Sequence, residues 1–313
     1  MPDGAAIFVH GILSSTKTWT PLISLLQQDV EASHDYESIP FPYPSPKFNF
    51  NPTRRIPDYN TVADSLSTFI AIECAGYRRL VLIGHSQGGL IIQRYLARML
   101  NDGRGLELRK IARVVLLACP NNGSEIVLML RKFFTFWKNP QEVDLRPLAG
   151  AVTDAQRRVI NGITHATTMT TTSCPIQFSV YAGETDQIVT YASATSVFLN
   201  TGTLPGDHTS ILNTSLAGNR TFKAIKTELL TGRTTAAASL PLVINSEEPR
   251  SVQDGDGQPR RPLISVTTTK TRQDLVTESQ TIEIFDLNVA TAWILNRNKQ
   301  GQRDSEGGSN VIG

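Results

Sequence analysis

Short runs of consecutive apolar residues alternate with stretches of helical periodicity up to about Thr231. Ala5-Ala6-Ile7-Phe8-Val9 is such a run, closed by His10-Gly11. Arg79–Gly84, Arg113–Ala118 and Ile176–Tyr181 read the same way. Continuous apolar runs of this length predict strands buried on both faces. Between them, Thr18–Gln28 places Trp19, Leu22, Ile23 and Leu26 at i, i+3, i+4 and i+7. Tyr59–Cys74 repeats the spacing with Val62, Leu66, Phe69 and Ile70, and Gly89–Leu100 with Leu90, Ile91, Tyr95, Leu96 and Met99. Buried strands alternating with amphipathic helices predict an α/β architecture, a mostly parallel sheet flanked by helices.

Two segments interrupt this order. Pro40–Pro57 carries Pro40, Pro42, Pro44, Pro46, Pro52 and Pro57 and predicts an irregular loop. Residues 121–175 form an insertion before the fourth strand candidate that is too long for a simple connection. Within it, Ile126, Met129, Leu130, Phe133 and Trp137 fall on one helical face, either a helix packed on the core or a lid over an apolar pocket. The chain therefore divides into a body, 1–231, and a polar C-terminal extension, 232–313, which predicts a partly disordered segment or small appendage. In that extension Leu263–Thr268 and Thr281–Leu287 are strand candidates and Asn288–Asn298 a helix candidate.

Composition narrows the function. Of 313 residues 40% are hydrophobic and 19% charged, a globular balance. The net charge of +2 provides no field to draw nucleic acid or an anionic membrane. No apolar window reaches the ~18 residues of a membrane span, and Met1-Pro2-Asp3-Gly4 has none of the positive charge of a signal peptide. Cys74, Cys119 and Cys174 are an odd number without metal-ligand spacing, which predicts reduced thiols and a cytoplasmic location.

The chemistry concentrates at Gly84-His85-Ser86-Gln87-Gly88, a G-x-S-x-G pattern with a further Gly89. It follows a strand candidate and opens a helix candidate, the context in which the pattern marks a nucleophile. A strand turning sharply into a helix strains the middle residue and lifts its hydroxyl clear of the sheet. Strand and helix nearly touch there, so positions two before and two after must be tiny. A phosphate-binding loop is the competing reading, but the GK[ST] ending and the G-x-G-x-x-G spacing are both missing.

With these residues the chain resembles the α/β-hydrolases, in particular lipases and esterases with a His-Gly oxyanion turn. The resemblance covers about Ala5 to Leu230 and rests on His10-Gly11, on Gly84–Gly88, and on a later Asp and His. The resemblance implies that the first strands of larger members are missing, since the chain starts almost at the oxyanion strand.

Chain order in that fold is nucleophile, acid, histidine. His208, in the loop Leu204–Ile211, is the last of five histidines and is the expected base. His85, inside the elbow, is expected to point away from Ser86 and His10 to shape the first turn, while His34 precedes the proline-rich loop and His165 sits in the insertion. Gly183–Val189 matches the family pattern G-x-x-D-x-x-V, which selects Asp186 as the acid over Glu184. Glu125 remains the outside candidate, and Asp207 is expected to cap its own loop. The resemblance further implies an oxyanion hole from the backbone N–H groups of Gln87 and Ile12, with no metal or cofactor.

The expected function is ester hydrolysis through an acyl-enzyme, on a small-molecule or lipid-like acyl substrate. Leu13, Met129, Leu130, Phe133, Phe134 and Trp137 would suit the acyl chain. Acyltransferase, thioesterase or amidase chemistry with the same triad is the alternative, as is a non-catalytic interaction module. The polar extension is the candidate site for a protein partner.

Overall fold

The computed structural model describes residues 2–45, 59–121, 146–195, 197–215, 218–234, 264–271 and 277–284. The chain divides into two units, Met1–Ile244 and Asn245–Gly313. In the first, strands β1 (Gly4–Val9), β2 (Tyr36–Pro40), β3 (Arg79–His85), β4 (Ile111–Leu117), β5 (Gln177–Gly183) and β6 (Thr201–Leu204) form one sheet. Its order is β2-β1-β3-β4-β5-β6, and every pairing is parallel.

The apolar runs become the inner strands because both faces are covered. Ala5, Ile7, Val9, Leu80, Leu82, Val114 and Leu116 share one core with residues of α3 (Tyr59–Glu73), α4 (Gln87–Asn101) and α5 (Arg146–Val159). Their strand neighbours Ala6, Phe8, Val81, Ile83, Val115 and Leu117 face the opposite core. Trp19, Leu22, Ile23 and Leu26 close that side, with Ile225 and Leu229 of α7 (Arg220–Thr234). Two short helices, α2 (Val30–Asp35) and α6 (Tyr191–Thr195), also belong to the unit.

Several bounds differ from the sequence pattern. Thr16–Trp19 forms a 3-10 turn, and α1 starts at Thr20 (Thr20–Gln28), where Pro21 occupies the first turn and needs no amide partner. The edge strands β2 and β6 carry no apolar run, since an edge strand has less surface to bury. Pro40, expected to open an irregular loop, instead ends β2 on the sheet edge, where its missing N–H is tolerated. Residues 41–45 have no regular structure, and 46–58 lie outside the described residues. In the insertion, α5 buries Val152, Ala155 and Val159 in the core, while the Ile126–Trp137 helix candidate lies outside the described residues.

In the second unit, Ile264–Thr271 (β7) and Thr277–Ile284 (β8) form an antiparallel hairpin with Thr267 opposite Thr281. The strand candidates overlap these elements, and the Asn288–Asn298 candidate lies outside the described residues.

Candidate active site

The chain runs from β1 outward to β2, then crosses back to β3 on the other side of β1. A parallel sheet opens a crevice at such a reversal, outside the carboxyl ends of the strands. Residues 10–12 follow β1 there, Ser86 follows β3, Asp186 follows β5 and His208 follows β6.

The elbow is locked by close packing. Ser86 has φ 52° and ψ −124°, a conformation a non-glycine residue adopts only under constraint. Its N–H donates to the Leu117 carbonyl at 3.0 Å, and its carbonyl accepts from the Gly89 N–H at 3.1 Å. A Cβ on Gly84 would lie 2.7 Å from Gly89 Cα, and one on Gly88 would collide with the carbonyl oxygens of Val9 and His10. The required small residues thus lie where strand meets helix, and the elbow touches the turn after β1. A Cβ on Gly11 would likewise come within 3.0 Å of Ser86 Cβ.

His208, in the loop after β6, lies with Nε2 2.9 Å from Ser86 Oγ and Nδ1 2.9 Å from Asp186 Oδ2. All three are out of solvent: Ser86 is 1% and His208 3% exposed, and the Asp186 side chain 0%. Asp186 Oδ1 accepts the backbone N–H groups of Ile188 (2.8 Å) and Val189 (2.9 Å), which fixes the carboxylate so that Oδ2 faces the imidazole. The loop is held from the other side by Asp207. Its carboxylate accepts from the N–H and hydroxyl groups of Thr209 and Ser210, and these bonds, led by the Ser210 N–H, lower its pKa to about 2.

Of the remaining candidates, Glu184 and His34 lie elsewhere. Glu184 pairs with Arg220 at 3.0 Å on the surface, and Glu125 lies outside the described residues. His34 is exposed beside Asp35. Gln87 begins α4, and Ile12 follows Gly11 in the turn packed on the elbow. Leu13, next in that turn, has φ 57°, an unusual value for a bulky residue.

Several contributors carry no sequence signal of their own. Tyr43, from the proline-rich segment, stacks on the His10 ring at 4.0 Å and donates its hydroxyl to the His10 carbonyl at 2.5 Å. His10 Nδ1 in turn lies 2.9 Å from the Gly11 carbonyl. Gln93 of α4 donates to Asn121 at 2.8 Å, and Asn121 donates to the Ala194 carbonyl at 2.7 Å, while Gln156 bonds the Asn121 carbonyl. His85 donates from Nε2 to the His208 backbone carbonyl at 2.7 Å. Local periodicity cannot reveal contacts between segments this far apart in the chain.

Among the described residues no group of His, Cys, Asp and Glu forms a metal cluster, and no helix is long and apolar enough to cross a membrane.

Residues 6–139 match the family model described as the alpha/beta hydrolase fold. Similar solved structures include a monoacylglycerol lipase from Paleococcus ferrophilus (17% identity, 74% of this chain and 96% of that one, TM-score 0.47). A lipase-esterase related protein from Clostridium acetobutylicum is 15% identical over 73% of this chain and 94% of its own, with TM-score 0.42. A thioesterase of the prodiginine pathway in Streptomyces coelicolor is 11% identical over 72% and 86%, with TM-score 0.43. No curated protein matches the chain.

Proposed function

We propose that this chain, a member of the α/β-hydrolase superfamily, is a serine hydrolase that cleaves carboxylic esters through an acyl-enzyme intermediate. One observation carries the reading: Ser86 Oγ, the His208 ring and Asp186 Oδ2 follow one another at 2.9 Å and 2.9 Å, at the carboxyl edge of the sheet.

A serine hydroxyl attacks a carbonyl only when a base removes its proton. His208 Nε2 takes that proton as Ser86 Oγ bonds to the acyl carbon. Asp186 accepts from Nδ1–H, which holds the ring in the tautomer that leaves Nε2 free to act, and stabilises the imidazolium that forms. The carbonyl electrons collect on an oxyanion, for which we assign the N–H groups of Gln87 and Ile12 as donors. The α4 N-terminus adds a favourable dipole there. Collapse expels the alcohol, which takes the proton from His208. Water then repeats the two proton steps and releases the acid. Transfer to another acceptor, or a thioester or amide substrate, would use the same groups.

The test is reaction with a fluorophosphonate and a series of aryl esters of graded chain length. Wild-type protein is expected to label and turn over, and Ser86→Ala to do neither, with kcat down by about three to six decades. Asp186→Asn is expected to cost about four decades, because the ring then adopts the wrong tautomer. Labelling that persists in Ser86→Ala removes the nucleophile assignment. The chain length that maximises kcat/KM fixes the acyl class.

A further inference from the structure

We infer that His85 is a positioning residue, whose Nε2–H holds the backbone of His208 so that the imidazole of His208 stands in line with Ser86. The inference rests on the triad reading above and adds a residue to it.

The His85 ring is wedged among three segments. It belongs to the elbow itself, as the residue before Ser86. Its Nε2 lies 2.7 Å from the His208 carbonyl oxygen, 123 positions away in the chain. On the turn after β1, a Cβ on Gly11 would lie 3.1 Å from His85 Nδ1. Trp19 approaches edge-on, with ring centroids 6.5 Å apart. His85 is 6% exposed, so no solvent relaxes these contacts.

The chemistry fixes the tautomer. A carbonyl oxygen only accepts, so Nε2 carries the hydrogen. Nδ1 is buried and has no hydrogen-bond partner among the described residues, which leaves it bare and the ring neutral. The surroundings agree: burial first, and then the neighbouring His208, push the His85 pKa down to about 3. Among the described residues the titratable groups that face it are His208, Asp186 and His10; His208 and His10 disfavour a charged ring, while the bond to the His208 carbonyl and the Asp186 carboxylate favour one and are outweighed by burial.

The consequence is a third anchor for the base. The side chain of His208 is held by Asp186 at Nδ1 and meets Ser86 at Nε2. The bond from His85 holds its main chain, which sets where the side chain begins. The anchor also comes from the residue adjoining the nucleophile, so base and nucleophile are tied to each other directly rather than through the sheet. Displacements of about 1 Å in such a line cost on the order of 100-fold in rate.

The test compares His85→Leu, which fills space without a donor, with His85→Gln, whose Nε2 can donate at the same reach. His85→Leu is expected to lower kcat and the fluorophosphonate labelling rate about 100-fold with KM near the wild-type value. His85→Gln is expected to recover most of that loss, although it packs no better. Nitrogen NMR of the wild-type protein supplies a measurement that needs no variant: the His85 ring is expected to be the neutral Nε2–H tautomer throughout pH 5–8. A folded His85→Leu with wild-type labelling rate, a Gln variant no better than Leu, or an Nδ1–H or titrating ring would each overturn the inference. Wild-type protein that does not label at Ser86 would instead overturn the hydrolase reading itself, and the nitrogen spectrum would still decide whether the bond to His208 exists.

Discussion

Ser86 is held at φ 52° by neighbours that leave no slack. A strained residue of this kind costs about 1–3 kcal/mol and persists only where its surroundings dictate it. Gly88 is the tightest of those neighbours, because its α-carbon faces the carbonyls of Val9 and His10. Gly88→Ala is therefore expected to push β1 away from the elbow and destabilise the fold by about 3 kcal/mol. Gly76→Ala, where an added Cβ would meet nothing within 4 Å among the described residues, is the control and is expected to stay within about 0.5 kcal/mol. Urea midpoints of the two variants measure the difference. His85 makes a second prediction. Its folded pKa of about 3 lies below the ordinary histidine value of 6.5, so below that value the unfolded chain binds a proton that the folded one does not. Its contribution to stability is present above pH 6.5 and is lost as pH falls toward 3. Chemical denaturation between pH 7 and 4 is expected to show a shallower loss of stability in His85→Gln than in the wild-type protein.

At the scale of elements, α7 is tied to the sheet by a buried polar cluster. Arg113 of β4 donates to Glu228 at 2.7 Å and to Ser179 at 3.1 Å, and the Tyr181 hydroxyl donates to Glu228 at 2.6 Å. The Arg113 and Glu228 side chains are 5% and 8% exposed, so removing one leaves the other charged and nearly dry. Glu228→Ala is expected to cost about 3–5 kcal/mol in thermal or urea unfolding, and Arg113→Met with Glu228→Leu considerably less. The four inner strands were legible in the sequence because a strand covered on both faces is apolar along most of its length. β2 and β6 were not: Tyr36-Glu37-Ser38-Ile39-Pro40 and Thr201-Gly202-Thr203-Leu204 belong to edges, where polar residues are tolerated. The polar cluster was invisible for a different reason. Arg113 sits within an apolar run and Glu228 within a helix, and only their approach across 115 positions gives either a purpose.

For the whole molecule, the site was legible in proportion to how local its signals are. The elbow is written in five consecutive residues. Asp186 and His208 were selected by chain order and family pattern, and the bonds from His85 and Tyr43 only by folding. The first unit ends at Ile244 and already contains every residue assigned to the reaction. A chain stopped after Ile244 is thus expected to keep the full rate of fluorophosphonate labelling. Loss of labelling with retained folding would give the second unit a part in the chemistry.

The order of strands has a consequence for biosynthesis. In the proposed reaction the nucleophile, Ser86, follows the third strand, while the base, His208, follows the sixth, at the far edge of the sheet. A ribosome that has made 200 residues has made Ser86 without the histidine proposed to take its proton. On that reading the growing polypeptide stays inert toward acyl compounds until almost the entire first unit has emerged and closed, and turnover would report completed folding rather than mere synthesis.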